Sequence, residues 1–219
     1  MLHGAGFFLE GYFLYKGVKR ALDVTFSLIG TAVSSPILLA VAAAVKLDSK
    51  GPVIFKQERL GKDGKVFEMY KFRSMCVGAE HMGTGQYSYK GDSRVTRVGK
   101  IIRATSLDEL PQFINILKGD MSFIGPRPTL TYHPWKLEEY TDFQRRRFEV
   151  RPGITGLAQV HGRKAIDWND RIKYDVEYVD NLSLGLDCKI LFQTVWNVLT
   201  MKDNDNVGKT SQTKENKDA

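Results

Sequence analysis

Between Val24 and Val45 the chain carries no charged residue for 22 consecutive positions. As a straight helix that run is roughly 33 Å long, enough to cross the hydrocarbon core of a bilayer. A proline interrupts it, since Pro36 follows directly on Ser34 and Ser35. An interior proline removes one helical hydrogen bond and kinks or breaks a helix. Serine hydroxyls can take up the backbone groups so released. Basic residues stand at both ends: Lys16, Lys19 and Arg20 before the run, Lys46 and Lys50 after it. A spanning helix usually carries its basic excess on one side. Cations at both ends predict instead a helix that dips into the membrane and turns back at Ser35-Pro36. Asp23 needs a partner in that setting, and Lys19 or Arg20 is near enough in sequence to supply one. The alternative is a buried core helix, for which Ala42-Ala43-Ala44 would suit close packing in water.

The soluble remainder reads as α+β. Val53-Ile54-Phe55 and the stretch Val66 to Phe72 have strand character, and Gly61-Lys62-Asp63-Gly64 joins them as a hairpin. Residues 76–92 are rich in Gly, Ser and Tyr and predict a long surface loop, the kind of segment used as a lid or specificity element. Leu110, Phe113, Ile114 and Leu117 recur at helical spacing until Gly119. Two rigid turns follow, Phe123 to Pro128 and Arg151 to Gly156, flanking an expected polar helix from Glu138 to Val150. Residues from Asp170 to Val179 and from Leu186 to Leu199 predict further helices, the last one amphipathic. The expected fold is a mostly helical core with a small β-hairpin, preceded by a Ser-Pro-broken re-entrant membrane helix. Residues 1–18 read as an interfacial or flexible leader and 19–50 as the re-entrant helix. Residues 51–200 read as the catalytic core, and 201–219 as a disordered tail.

The formal net charge of +7 calls for an acidic partner: nucleic acid, anionic lipid or a phosphorylated substrate. The two cysteines, Cys76 and Cys188, and the four histidines are scattered and match no metal or redox spacing. The chemistry-bearing stretch is Ser106-Leu107-Asp108-Glu109-Leu110-Pro111-Gln112. Pro111 is tolerated only in a first helical turn, which places the helix cap at Ser106 or Asp108. Ser106 with Glu109 matches a capping box, so the pair has a purely structural explanation. The same geometry would keep Asp108 ionised and favour a bound phosphate. An ionised aspartate can attack a phosphorus centre. Lys71, Arg103 and Arg127 come from three other segments and could offset the charge of phosphate oxygens, with Mg²⁺ bridging Asp108 and the phosphates.

These motifs resemble the monotopic phosphoglycosyl transferases, bacterial sugar transferases that begin glycan assembly on a polyprenyl phosphate carrier. The resemblance is carried by Lys19-Arg20 with Asp23, by Ser35-Pro36, and by Tyr70-Lys71-Phe72-Arg73-Ser74-Met75. It continues through Ser106 to Gln112, Lys118 to Pro128, Arg151 to Val160, Gly162-Arg163 and Tyr174-Asp175. It is closest to the small members, a catalytic core with little added. The resemblance implies that Asp108 attacks the β-phosphate of a UDP-sugar, expelling UMP and leaving an aspartyl-phosphosugar. Polyprenyl (undecaprenyl) phosphate then takes the phosphosugar. It further implies that Glu109 assists as a positioning group or base and that Lys71, Arg103 and Arg127 bind substrate. Mg²⁺ is the implied cofactor, with Asp108 as its ligand. The implied location is the cytoplasmic face of the bacterial inner membrane, in contact with membrane lipid. Nucleic acid is not an expected partner, and a homodimer is compatible with the motifs. The competing reading is a membrane-tethered basic module for nucleic acid or anionic lipid, based on the net charge and Arg145-Arg146-Arg147.

Overall fold

A computed structural model describes the backbone of residues 3–83, 85, 88–89, 91–162 and 166–200, with side chains from residue 14 onward. The expected tail after Met201 and Arg163 of the Gly162-Arg163 motif lie outside the described residues. A long helix, α1 (His3–Asp48), leads into the antiparallel hairpin β1 (Ile54–Leu60) and β2 (Val66–Phe72). Then come α2 (Arg97–Ala104), α3 (Gln112–Lys118), β3 (Ser122–Ile124), α4 (Asp142–Arg145) and β4 (Gly153–Thr155). The order closes with α5 (Leu157–Gly162), α6 (Trp168–Asp180) and α7 (Leu184–Leu199). The architecture is thus α+β with a small hairpin, as the sequence predicts.

Helix α1 is not interrupted at Ser35-Pro36, where a break was expected; helical turns continue across it. Pro36 has no N–H for the Ala32 carbonyl. The Ser35 hydroxyl donates to that carbonyl instead, at 2.8 Å, and the Ser34 hydroxyl donates to Gly30 at 2.6 Å. Hydroxyls therefore replace the lost backbone bond, which keeps the helix formed. The helix is not a buried core element either, because only 11% of its most apolar window is buried. Phe26, Val33, Leu39 and Leu47 all stand exposed. An apolar surface of that extent marks contact with a membrane or another protein.

Both ends of the apolar segment are anchored to one core. At the first end Asp23 is 5% exposed, and its expected partners are engaged elsewhere. It accepts hydrogen bonds from the Ser122 hydroxyl and the Phe123 N–H, at 3.0 and 3.1 Å. Lys19 pairs with Asp187 at 2.6 Å, and Tyr15 and Tyr178 also donate to Asp187. Arg20 donates to the Ile116 and Leu117 carbonyls at the end of α3, where a cation meets the negative end of the helix dipole. At the second end Val41 and Val45 pack with Phe72 and Ile102. Arg73 caps the C-terminus of α1 by donating to the Val45 and Ser49 carbonyls.

The two turns expected as isolated loops are tied together. Their first residues form a short parallel pair, β3 on β4, with Ser122 opposite Gly153 and Ile124 opposite Thr155. The approach depends on glycine: a Cβ on Gly153 would lie 2.1 Å from the Gly125 nitrogen. The polar helix expected over 138–150 is cut into α4 and short 3₁₀ turns at Leu137–Glu139 and Arg146–Glu149. Its register is broken because Arg147 turns inward onto Asp175 at 2.7 Å, with both side chains 1% exposed. Arg94 is also internal. It pairs with Asp92 and donates to the carbonyls of Ala79, Met82 and Gly85, ordering the described part of the 76–92 loop.

Breaking a buried pair leaves one charge uncompensated. Arg147→Met is expected to cost about 3–5 kcal/mol of unfolding free energy. The double replacement with Asp175→Leu should recover most of it in denaturant titration.

Candidate active site

Ser106 does not cap a helix. It sits in the left-handed region with φ 57°, and its side chain accepts no cap bond. Leu107–Glu109 form a 3₁₀ turn, and α3 begins only after Pro111. The capping box is lost because Glu109 is drawn elsewhere. Its Oε1 accepts from Lys71 Nζ at 2.9 Å and from Arg127 Nη2 at 3.2 Å. Lys71 reaches it from β2 and Arg127 from the Gly-Pro-Arg-Pro loop after β3.

Two buried struts set that geometry, and neither stood out in the sequence. Asn115, fully buried on α3, accepts from the Tyr70 N–H at 2.9 Å and donates to the Glu68 carbonyl at 2.6 Å. This pins α3 to the strand that carries Lys71. Arg147, held by Asp175, donates to the Arg127 carbonyl at 2.9 Å and fixes the loop from behind. A buried amide bonded mainly to the backbone of a distant strand carries no local sequence signature, and Arg147 was masked by its arginine neighbours.

The adjacent carboxylates differ in electrostatics. For Glu109 burial works against the charge, but Lys71 and Arg127 overcome it, holding the carboxyl well below the usual glutamate range. For Asp108 burial dominates and pushes the carboxyl above the ordinary aspartate range. Lys71 pulls it back, Glu109 adds to the rise, and Arg103 and Arg127 pull down. Asp108 does not stand at the start of an α-helix as expected, because it lies in the 3₁₀ turn before Pro111. Among the described residues Asp108 accepts no hydrogen bond, so its oxygens are open to a ligand. Arg103, in the last turn of α2, makes no ion pair among the described residues and acts on Asp108 only through its charge.

The structure thus brings Lys71, Arg127, Glu109 and Asp108 into one cluster, with Arg103 close enough to bias Asp108. Ser35 and Pro36 lie apart from it on α1. No group of three His, Cys, Asp or Glu side chains among the described residues converges on a metal position. A Mg²⁺ ion held by one carboxylate and by substrate phosphates still fits the donor set, with Asp108 as the open carboxylate. Of the arginine run only Arg147 is internal, on Asp175; Arg145 donates to the Tyr140 and Glu138 carbonyls and Arg146 meets Asp180, both at the surface.

A cluster of cations around two carboxylates, on a core that carries an exposed apolar helix, is the pairing of features that the family must account for. The chain belongs to the bacterial sugar transferase family, whose model matches residues 14–201. It is 46% identical over 190 residues to the UDP-N-acetylgalactosamine-undecaprenyl-phosphate N-acetylgalactosaminephosphotransferase of Aeromonas hydrophila, covering 85% of this chain and 45% of that protein. It is 46% identical over 182 residues to the uncharacterized sugar transferase EpsL of Bacillus subtilis strain 168, covering 83% and 87%. It is 48% identical over 183 residues to the UDP-glucose:undecaprenyl-phosphate glucose-1-phosphate transferase of Klebsiella pneumoniae, covering 81% and 39%. The chain therefore spans less than half the length of the first and third of these relatives.

Glu109→Gln removes the negative charge that accepts two hydrogen bonds from cations and is expected to lower stability by about 2 kcal/mol. Asp108→Asn removes a charge that burial disfavours, so it should unfold at the wild-type temperature or above. Thermal unfolding at neutral pH compares the two. Because the folded state lowers the Glu109 pKa, its contribution is fully present above about pH 4.3 and is lost as pH falls through the lower folded value.

Proposed function

We propose that this protein transfers a sugar-1-phosphate from a UDP-sugar to polyprenyl phosphate and releases UMP. The observation that carries the reading is the division of labour between the two carboxylates: Glu109 is clamped by two cations, while Asp108 stands open among them. An Asp108 oxygen attacks the β-phosphorus of the UDP-sugar, and the bond from that phosphorus to the UMP oxygen breaks. UMP leaves, and the phosphosugar remains on Asp108 as an acyl phosphate. An oxygen of polyprenyl phosphate then attacks the same phosphorus, and the bond to Asp108 breaks, restoring the carboxylate. Splitting the transfer in two lets a water-soluble and a lipid-soluble substrate use one site in turn.

Glu109 is a weak base in this setting, because its proton affinity is depressed. Its role is to position Lys71 and Arg127, which meet the phosphate oxygens, with Arg103 adding charge beside Asp108. Mg²⁺, held by Asp108 and the donor's phosphates, supplies further neutralisation of charge on the diphosphate when bound. The names of the two undecaprenyl-phosphate transferases support the lipid acceptor; the sugar follows from neither, since they use different ones.

The same reading makes α1 the membrane anchor. Asp23 and Val45 lie at opposite ends of the apolar segment, yet both touch the catalytic core. A helix crossing the bilayer would place them on opposite sides, and one core cannot be on both. We therefore place α1 as a re-entrant element, bent at Pro36, on the cytoplasmic face of the inner membrane. The competing nucleic-acid module loses part of its support, because Arg147 of the arginine run is buried on Asp175.

The test is UMP release from a panel of UDP-sugars by protein in nanodiscs, with Mg²⁺, with and without undecaprenyl phosphate. Sustained release should require the lipid, and Asp108→Asn should lose about 10³-fold or more. Retention of a tenth of wild-type turnover in that variant would sink the covalent route. The acid limb of the rate profile should lie above the ordinary aspartate value of about 3.9, because attack needs the ionised form of a carboxyl whose pKa is raised.

A further inference from the structure

Arg59 lies on β1, one residue before the strand ends, and its side chain turns inward behind the Arg127 loop. Its Nη1 donates to the Pro128 carbonyl at 3.2 Å, and its Nη2 donates to Gln57 Oε1. Its Nε is fully buried with no hydrogen-bond partner. Among the described residues no carboxylate lies within ion-pair distance of it. The guanidinium is therefore a largely buried cation whose hydrogen-bond partners are neutral.

Such an arrangement is costly. A buried charge loses its hydration, and neutral acceptors return only part of it. Burial, and then the neighbouring charge of Arg127, pull the Arg59 guanidinium down to about 10, still protonated at neutral pH. Glu109 opposes that fall, which places Arg59 within electrostatic reach of the cluster. A residue held at a cost to folding next to a binding site belongs to the class of features kept for function. The local charge count agrees. Lys71, Arg103, Arg127 and Arg59, with Arg171 and the Asp175-paired Arg147 near Arg127, outnumber the carboxylates Asp108, Glu109 and Asp175. That positive excess is what a diphosphate would neutralise.

We infer that Arg59 supplies positive charge to the donor site from behind Arg127, strengthening its hold on the diphosphate without touching it. This rests on the reading of the site as one that binds a UDP-sugar. It makes Arg59 a positioning residue that acts through the field and through the Pro128 carbonyl, rather than a catalytic residue.

The test uses inorganic pyrophosphate as the probe, at low salt and without any UDP-sugar. Thermal unfolding is followed as pyrophosphate is titrated into wild type, Arg59→Met and Arg59→Lys. Without ligand, Arg59→Met is expected to unfold at the wild-type temperature or above, because it removes an uncompensated buried charge. Its pyrophosphate affinity should fall about tenfold, the effect of one charge at moderate distance. Arg59→Lys, which keeps the charge but not the fork, should stay within about threefold of wild type. A purely structural arginine gives the opposite pattern, a clear loss of stability in Arg59→Met with unchanged affinity. That pattern, failure of Arg59→Met to fold, or absence of pyrophosphate binding by wild type would each overturn the inference. UDP-sugar turnover is scored separately: its absence overturns the transferase reading, while the pyrophosphate comparison still decides the role of Arg59.

Discussion

Everything in this molecule depends on how an apolar helix is fastened to a polar core. Charged residues near an apolar segment are affordable only when their partners are fixed. Asp23 finds its partners in β3, Lys19 in Asp187 of α7, and Arg20 in the open carbonyls of α3. None of these contacts lies within the helix itself, so α1 is docked by the same groups that would otherwise destabilise it. The docking also sets the site's position. Asp23 holds the strand that leads into the Arg127 loop, and Arg20 holds the end of the helix that follows Asp108 and Glu109.

The site itself is a problem in charge neutralisation. Two carboxylates side by side repel each other, and burial adds to the cost of ionising either. Glu109 is held charged by Lys71 and Arg127, and it holds them in turn. Asp108 is left with the unfavourable balance, buried and without a hydrogen bond of its own. On the proposed route Asp108 is the nucleophile, which needs open oxygens and a raised energy in the ground state. Those features oppose folding stability, and the buried struts Asn115 and Arg147 offset them by fixing the surrounding backbone.

The apolar exterior fits that chemistry. With the core fastened at both ends of the α1 segment, the face that carries Phe26, Val33 and Leu39 remains uncovered. A second apolar surface lies on α7, where Phe192, Trp196 and Leu199 are exposed. Surfaces of this kind suit contact with an apolar phase. In a bilayer setting these surfaces are ordinary solvation, not a liability.

Much of this was legible in the residues alone. The uncharged run, the hairpin, α3 with its glycine stop, α6 and α7 all follow from local periodicity and turn chemistry, which need no knowledge of neighbours. Asp108, Glu109, Lys71, Arg103 and Arg127 were singled out by the resemblance of long motifs, and the fold places them near one another. Tertiary structure decided what those residues do to one another. Ser106 and Glu109 satisfy a capping box on paper, but the fold brings two cations to Glu109 and the cap is abandoned. Arg147 reads as one of three basic residues in a run, but it is buried on Asp175, a partner 28 residues away. Pro36 reads as a break, but two serine hydroxyls keep the helix formed. The division has one physical cause. Propensity and pattern are properties of a segment, whereas pairing, burial and the resulting shifts in proton affinity belong to contacts that exist only once the chain has folded.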